Sequence, residues 1–202
     1  MPRIAWLTDI HLEFLNRPQL EAFLTTLATA NIDALWITGD IAQAPSVHAY
    51  LNAMLKATMK PIYYVLGNHD YYHGSISQVR ELVTRLTHRT SGMVWLPAGG
   101  VVEITKTVGL VGHDGWSDGR YGDFMKSSIM LNDYLLINEL KFTDQHHLLM
   151  KLRGLADEGA HYLHKHIPLA ADRYPQVFIL VHPPPFMEVC YHKGKLYTPD
   201  NP

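Results

Sequence analysis

The alternation of short apolar runs with segments of helical spacing limits the folds open to this chain more than any other feature of its sequence. Short apolar runs that end in polar residues are typical of buried strands. Such runs occupy Ile4 to Thr8, Ala34 to Thr38, Ile62 to Leu66, Val108 to Val111 and Val177 to Val181. Segments of helical spacing separate the first three runs. The N-terminal half therefore predicts βαβ units and an α/β fold.

Turn and cap residues predict where the helices begin and end. Pro18 opens the first predicted helix, and Ser46 and Ser75 are the predicted N-caps of the second and third. A longer helix is predicted from about Thr143 to His166. We expect Pro168 to limit its end, because proline lacks the amide hydrogen that an interior helical position needs.

The middle of the chain has a different character. Three apolar runs are separated only by short turns, at Met93 to Leu96, Val101 to Ile104 and Val108 to Val111. This spacing predicts a β-meander that joins or forms a second sheet. Residues 115–142 combine glycines, aspartates and aromatic residues with little periodicity. We expect this segment, called the excursion below, to cross over a functional site.

Composition and charge exclude several classes of protein. The 202 residues are 47% hydrophobic, which predicts a single domain over residues 1–202. The formal net charge of -2 makes long nucleic acid an unexpected partner. Cys190 is the only cysteine, which excludes an intramolecular disulfide and a zinc site with several thiolates. With neither a signal-peptide core nor an apolar run of about 20 residues, we expect a cytoplasmic protein without a membrane partner.

Polar residues with metal-ligand chemistry follow the predicted strands. One of them alone would be read as a helix cap, a turn residue or a solvated side chain. Their joint occurrence at one edge of a sheet instead favours a shared metal site, because ligands of α/β sheets bind outside the carboxyl ends of the strands. The candidates are Asp9, His11, Asp40, Asn68, His69, Asp70, His113 and His182.

The ligand types narrow the choice of metal. Carboxylate, imidazole and amide groups without thiolate suit divalent Mn, Fe, Co or Zn, and the sequence leaves the identity open. Asp40 follows the strand that lies between the other ligand loops, so we expect its two oxygens to bridge two ions. Two ions about 3.5 to 4 Å apart suit in-line displacement at phosphorus.

The Gly-His-Asp-Gly-Trp segment after the fourth run admits two interpretations. His113 and Arg120 are candidates for binding the phosphate or the leaving group, since arginine matches phosphate oxygens with two parallel hydrogen bonds. The alternative is structural, with an Asx turn and a buried Trp116. The sequence does not decide between them.

Four of these elements carry a resemblance to a known family. The succession of Asp9-Ile10-His11, Gly39-Asp40, Gly67-Asn68-His69-Asp70 and an apolar strand that ends in His182 resembles the calcineurin-like metallophosphoesterase superfamily. The resemblance covers residues 4–182, and the Gly-Asn-His-Asp segment is its most specific part. It implies a two-sheet β-sandwich flanked by helices, with four layers in the order αββα.

The resemblance also implies roles for individual residues. Asp9, His11 and Asp40 would bind one metal ion, and Asp40, Asn68 and His182 would bind the other. His69 would not be a ligand; it would donate a proton to the leaving oxygen, with Asp70 orienting its ring. The implied activity is hydrolysis of phosphate mono- or diesters by a hydroxide that two metal ions activate. Both small phosphoesters and phosphoproteins stay open as substrates.

One departure from the family pattern concerns the C-terminal end. Members of the family close the site with a Gly-His-x-His loop, which nothing after His182 matches. We therefore expect the domain to be C-terminally truncated and to lack its last strands, with an exposed sheet edge that favours a homodimer. The alternative function is a non-catalytic scaffold or interaction protein with a degenerate metal site.

Overall fold

Two β-sheets form the centre of the computed structural model, which describes residues 2–121, 123–141, 144–192 and 195–196. The first sheet is parallel and has the order β1-β2-β3-β4. Its strands are β1 Ile4–Leu7, β2 Ala34–Thr38, β3 Ile62–Val65 and β4 Met93–Trp95. The second sheet has the order β5-β6-β7, with β5 antiparallel and β7 parallel to β6. Its strands are β5 Val102–Thr105, β6 Val108–His113 and β7 Gln176–Val181.

Helices flank the two sheets, and a small hairpin follows them. The longer helices are α1 Arg17–Thr29, α2 Val47–Thr58, α3 Ile76–Arg89 and α6 Gln145–Ala171. Two short helices, α4 Leu96–Gly99 and α5 Asp133–Leu136, lie between them in the chain. The hairpin pairs β8 Tyr191–His192 with β9 Lys195–Leu196. Among the described residues, no helix combines the length and the apolar character that crossing a membrane requires.

The alternation of side chains along β2 explains why the sheets stack. Leu35 and Ile37 are fully buried in the core cluster that includes α2 and α3. Trp36, which points to the opposite face, belongs with Leu110 and Leu180 to a second cluster between the sheets. A strand that is apolar on both faces needs a layer on each side. The two-sheet sandwich flanked by helices is therefore confirmed.

The predicted helix starts are confirmed, but the caps differ. At α1, the Asn16 side chain accepts a hydrogen bond from Gln19 N and the Gln19 side chain accepts one from Asn16 N, both at 3.0 Å. At α3, the Ser75 side chain makes no cap hydrogen bond. The Glu139 carboxylate accepts instead from Ile76 N at 2.8 Å and Ser77 N at 3.0 Å. The end of the excursion is thereby attached to α3.

Two expectations for the second half of the chain are wrong. The predicted meander is only a hairpin of β5 and β6, because β4 extends the first sheet in parallel with β3. Pro168 lies inside α6, which continues to Ala171. The helix continues because Ala170 beyond the proline is fully buried, and Asp172 N still donates to Pro168 O at 2.9 Å. The predicted start at Thr143 lies outside the described residues, and α6 begins at Gln145.

Candidate metal centre

Loops from both sheets meet at the candidate metal centre. Asp9, Asp40 and Asn68 follow β1, β2 and β3 of the first sheet, whereas His182 follows β7 of the second. The expectation that one sheet edge carries all the ligands is therefore wrong. The sheets pack face to face, and His182 Nδ1 lies 2.8 Å from the carbonyl oxygen of Thr38 at the end of β2. This contact joins the two sheets at the centre.

Three ligand candidates have an unusual backbone conformation. Asp9, His11 and Asp40 have φ angles of 51°, 41° and 52°, in the left-handed region that residues other than glycine seldom adopt. Hydrogen bonds between the loops hold them there, from Asp9 N to Gly39 O at 3.2 Å and from His11 N to Asp40 O at 3.1 Å. Such conformations persist where the surrounding structure fixes them, and they cluster at functional sites.

The two glycines before the ligands serve different purposes. Because glycine permits unusual backbone turns, the sequence predicts such a turn at both Gly39 and Gly67. Gly39 has a φ of +96°, which agrees with this prediction, whereas Gly67 is not in the left-handed region, so the prediction is wrong there. A Cβ atom at Gly67 would overlap Asp40 Oδ1 and lie 2.7 Å from His182 Cε1. Gly67 is needed because the two sheets approach each other closely at this point.

Asp40 lies between two imidazoles. One of its oxygens, Oδ2, is 3.7 Å from His11 Nε2, and the other, Oδ1, is 3.6 Å from His182 Nε2. These distances are too long for hydrogen bonds. The two atoms of each pair could bind the same ion, because metal bonds of about 2.0 to 2.2 Å place neighbouring ligand atoms about 3 to 4 Å apart. Ligand atoms of Asp9, Asp40 and His182 also lie within 4.8 Å of one another.

The hydrogen bonds of His182 and Asn68 prepare both side chains for a cation. Because a carbonyl oxygen only accepts, His182 carries its hydrogen on Nδ1, which leaves a lone pair on Nε2. Asn68 Nδ2 donates to Asp133 Oδ1 at 2.8 Å, which turns Asn68 Oδ1 toward the centre. That oxygen lies 3.3 Å from His182 Nε2. The two atoms are therefore close enough to bind the same cation.

The comparison with protein families agrees with this geometry. The model of the calcineurin-like phosphoesterases matches residues 2–200. The chain belongs to the calcineurin-like phosphoesterase family. This membership makes the protein a metal-dependent phosphoester hydrolase in the general sense.

A solved structure shares the phosphoesterase fold. The phosphopantetheinyl hydrolase of Mycobacterium tuberculosis aligns with a TM-score of 0.72 and 14% sequence identity, over 98% of this chain and 73% of that one. At this identity the likeness shows the fold alone. No curated protein sequence matches the chain.

Asp133 of the phosphoesterase holds a predicted metal ligand in place, although no sequence motif marks it as a site residue. Besides binding Asn68, its Oδ1 accepts a hydrogen bond from Tyr72 Oη at 2.6 Å, and the carboxylate is buried. Burial and the bond to Asp133 raise the pKa of the Tyr72 hydroxyl. Asp133 belongs to the excursion, where no motif distinguishes it from the other aspartates. The excursion therefore fixes the orientation of a predicted metal ligand.

Replacing Asp133 by Ala should weaken metal binding about 10- to 100-fold, the usual effect of losing a residue that orients a ligand. Without Asp133, Asn68 Nδ2 keeps only the longer hydrogen bond to Tyr72 Oη at 3.3 Å, so the amide can rotate and present nitrogen to the ion. Titration calorimetry with Mn²⁺ measures the change. Asp123→Ala is the control, since Asp123 is an exposed excursion residue paired with Lys126. Equal affinities for Asp133→Ala and the parent would contradict this role.

Asp70 does not contact the His69 ring, so its predicted orienting role is wrong. One carboxylate oxygen accepts from Ile41 N at 2.9 Å and Ala42 N at 3.0 Å, and the other accepts from Gly67 N at 2.8 Å. The side chain is fully buried. Asp70 therefore connects the loop after β2 to the loop after β3 through hydrogen bonds.

His69 lies next to the ligand set. Its ring meets the His11 ring edge-on at 4.6 Å and stacks on Tyr72 at 4.2 Å. Its Nδ1 atom is buried without a hydrogen-bond partner. A ring nitrogen of His69 also lies within 4.8 Å of ligand atoms of His11 and Glu13. Glu13 was not among the residues predicted for the site.

The structure does not bring His113 or Arg120 to the ligands. Burial lowers the pKa of His113, whose Nδ1 accepts from Gly115 N at 3.0 Å. His113 lines a separate cavity of about 530 Å³ beside α6. The Arg120 guanidinium binds Asp118 and Asp157, each at 2.7 Å. The substrate-binding role predicted for these two residues has no support from their positions.

A smaller cavity of about 170 Å³ adjoins the centre. Asn68 and His182 form part of its wall. Excursion residues Trp116, Leu131 and Tyr134 form another part. The expectation that the excursion crosses over the site agrees with this arrangement, which gives a substrate an apolar wall next to the predicted ligands.

Proposed function

We propose that this phosphoesterase hydrolyses phosphate mono- or diesters at a centre of two divalent metal ions. The observation that carries the proposal is the position of Asp40, with one carboxylate oxygen toward His11 and the other toward His182. A carboxylate in that position can serve two ions at once. Bound ions of this kind activate water and neutralise charge on a phosphoryl group.

The proposed ligands divide into two sets that share Asp40. Asp9 and His11 complete the first set, and Asn68 and His182 complete the second. All of them offer oxygen or nitrogen, so Mn, Fe, Zn and Co remain candidates for the ions. The partly buried Asn68 Oδ1 and His182 Nε2 support the second set, because they lie 3.3 Å apart and one cation could bind both atoms.

His69 is proposed as the group that protonates the leaving oxygen. Its ring contacts the ligand His11 but lies outside the set of Asp9, Asp40 and His182. Stacking on Tyr72 restricts the orientation of the ring. A fixed imidazole beside the reacting phosphate can hold a proton until the ester bond breaks.

The surroundings favour a small substrate. The cavity next to Asn68 and His182 has a volume of about 170 Å³ and apolar walls from Trp116 and Tyr134. With the net charge of -2, nothing in the composition favours the backbone of a long nucleic acid. The name of the structural neighbour adds phosphopantetheinyl esters to the compounds worth testing.

The test is a substrate screen with defined metal content. The chain is stripped with a chelator and assayed with p-nitrophenyl phosphate, bis(p-nitrophenyl) phosphate, a phosphopantetheinyl ester and a phosphopeptide. We expect hydrolysis of at least one ester that depends on added Mn²⁺, Fe²⁺, Zn²⁺ or Co²⁺ and that is lost in Asp40→Asn. Two bound ions without hydrolysis of any ester would contradict the proposal and favour a scaffold.

A further inference from the structure

Glu13 has a buried carboxylate that no hydrogen bond satisfies. It lies on a short 3-10 turn, Leu12–Phe14, directly after the left-handed residue His11. Both carboxylate oxygens are buried without a hydrogen-bond partner, and 11% of the side chain is exposed. Burying a carboxylate without hydrogen-bond donors is unfavourable, so its position implies donors close by.

Two imidazole nitrogens next to Glu13 also lack partners. His11 Nδ1 and His69 Nδ1 are both buried without a hydrogen bond. The first lies 3.8 Å from Glu13 Oε1. A ring nitrogen of each imidazole and an oxygen of Glu13 lie within 4.8 Å of one another. Hydrogen on Nδ1 of both imidazoles would place two donors near this carboxylate.

We infer that Glu13 is a positioning residue shared by His11 and His69. In this role the carboxylate accepts from Nδ1 of His11, which lies 3.8 Å from Oε1 in the structure, and from Nδ1 of His69, once the side chains close to hydrogen-bond distance. Each imidazole then presents Nε2 to the centre, as His182 does through its bond to Thr38. For His11 that atom faces Asp40 Oδ2 at 3.7 Å. The inference rests on the proposed function, since the purpose of this arrangement is a metal ligand beside a proton donor.

Three other carboxylates near the centre are not placed for this role. Asp70 is next to His69 in sequence, but both its oxygens are bound to backbone amides. Asp133 is bound to Asn68 and Tyr72. Asp40 faces the Nε2 atom of His11, not Nδ1. Glu13 is therefore the carboxylate that can orient both rings from behind.

The first test measures ring tautomers and needs no activity. Nitrogen-15 NMR of the metal-free protein distinguishes hydrogen on Nδ1 from hydrogen on Nε2. We expect Nδ1–H for both His11 and His69, and loss of that form at one of the two residues at least in Glu13→Gln. Glutamine keeps the size of the side chain but offers only one acceptor oxygen. Glu21→Gln is the control, because Glu21 is an exposed residue of α1 that pairs with Arg17.

The second test measures metal affinity in the same variants. Glu13→Gln should bind Mn²⁺ about 10- to 100-fold more weakly than the parent, the usual cost of losing a carboxylate behind a histidine ligand. Glu13→Asp, which keeps the carboxylate, should fall between them, and Glu21→Gln should match the parent. If Glu13→Gln does not fold, the NMR spectrum of Glu13→Asp serves instead, with a mixture of tautomers expected.

Three outcomes would overturn the inference. One is Nε2–H at His11 or His69 in the parent, and another is tautomers that Glu13→Gln leaves unchanged. The third is an additional bound cation that Glu13→Gln loses without any change in the tautomers. That result would mean that His11, Glu13 and His69 are themselves ligands of that cation. A chain without esterase activity would contradict the proposed function but would leave the tautomer result valid.

Discussion

An Asp40→Asn variant is expected to lose more than about 100-fold in affinity for both metal ions, a larger effect than removing a residue that only orients a ligand. The change removes a full negative charge that lies within 4 Å of two imidazole ligands. Each ion loses this charge, whereas Asn68→Ala removes a neutral ligand from one ion. Titration calorimetry and elemental analysis of the purified variants measure both losses.

Folding should not confound this measurement. Asparagine is nearly isosteric with aspartate and can still accept the hydrogen bond that His69 N donates to Oδ1 at 3.0 Å. Thermal unfolding of the metal-free protein checks this point. Asp172→Asn is the matched control, because Asp172 is exposed and lies beyond the end of α6. If Asp40→Asn and Asn68→Ala lose the same affinity, Asp40 is not a bridge.

A His69→Asn variant is expected to keep its metal ions and lose about 10²- to 10⁴-fold in turnover, the usual contribution of general acid catalysis. The loss should shrink for esters with good leaving groups, because these depart without a proton. Turnover with p-nitrophenyl and alkyl esters, measured beside metal content, separates the two effects. The expectation depends on the proposed role of His69 as a proton donor that is not a ligand.

His73→Asn is the control for this variant. His73 is an exposed residue with a φ of 61°, and asparagine tolerates this left-handed conformation well. It should leave turnover and metal content unchanged. If metal content falls in parallel with activity in His69→Asn, then His69 is a ligand, and the roles proposed here are wrong.

The strands of the first sheet show what periodicity can predict. β1, β2 and β3 lie where short apolar runs place them. Layers on both faces bury β2 and β3, whereas β1 is an edge strand on which Trp6 is 70% exposed. β4 was assigned to the wrong sheet, since a three-residue apolar run fits a hairpin as well as a parallel edge strand. The strand with which β4 pairs depends on where the chain lies after α3, and no local sequence pattern predicts that position.

The carboxylates around His69 show why side-chain roles are harder to predict. Asp70 adjoins His69 in sequence, but both lie on a 3-10 turn, His69–Tyr71, where neighbouring side chains point about 120° apart. Asp70 therefore faces the backbone amides behind the site. Glu13 and Asp133 reach the site from other parts of the chain, and neither belongs to the motifs that predicted the ligands.

The sequence by itself determined the family, the two-sheet sandwich and the candidate ligands, because strand periodicity and the residues after each strand are local properties of the chain. Only the tertiary structure decided that His182 comes from a second sheet, that Asp133 turns Asn68 and that Glu13 lies behind two imidazoles. The contacts of His182 with Thr38, of Asp133 with Asn68 and of Glu13 with His69 each join residues from different loops. The geometry of these contacts depends on how closely the two sheets pack. Gly39 and Gly67 permit this close packing but do not specify it.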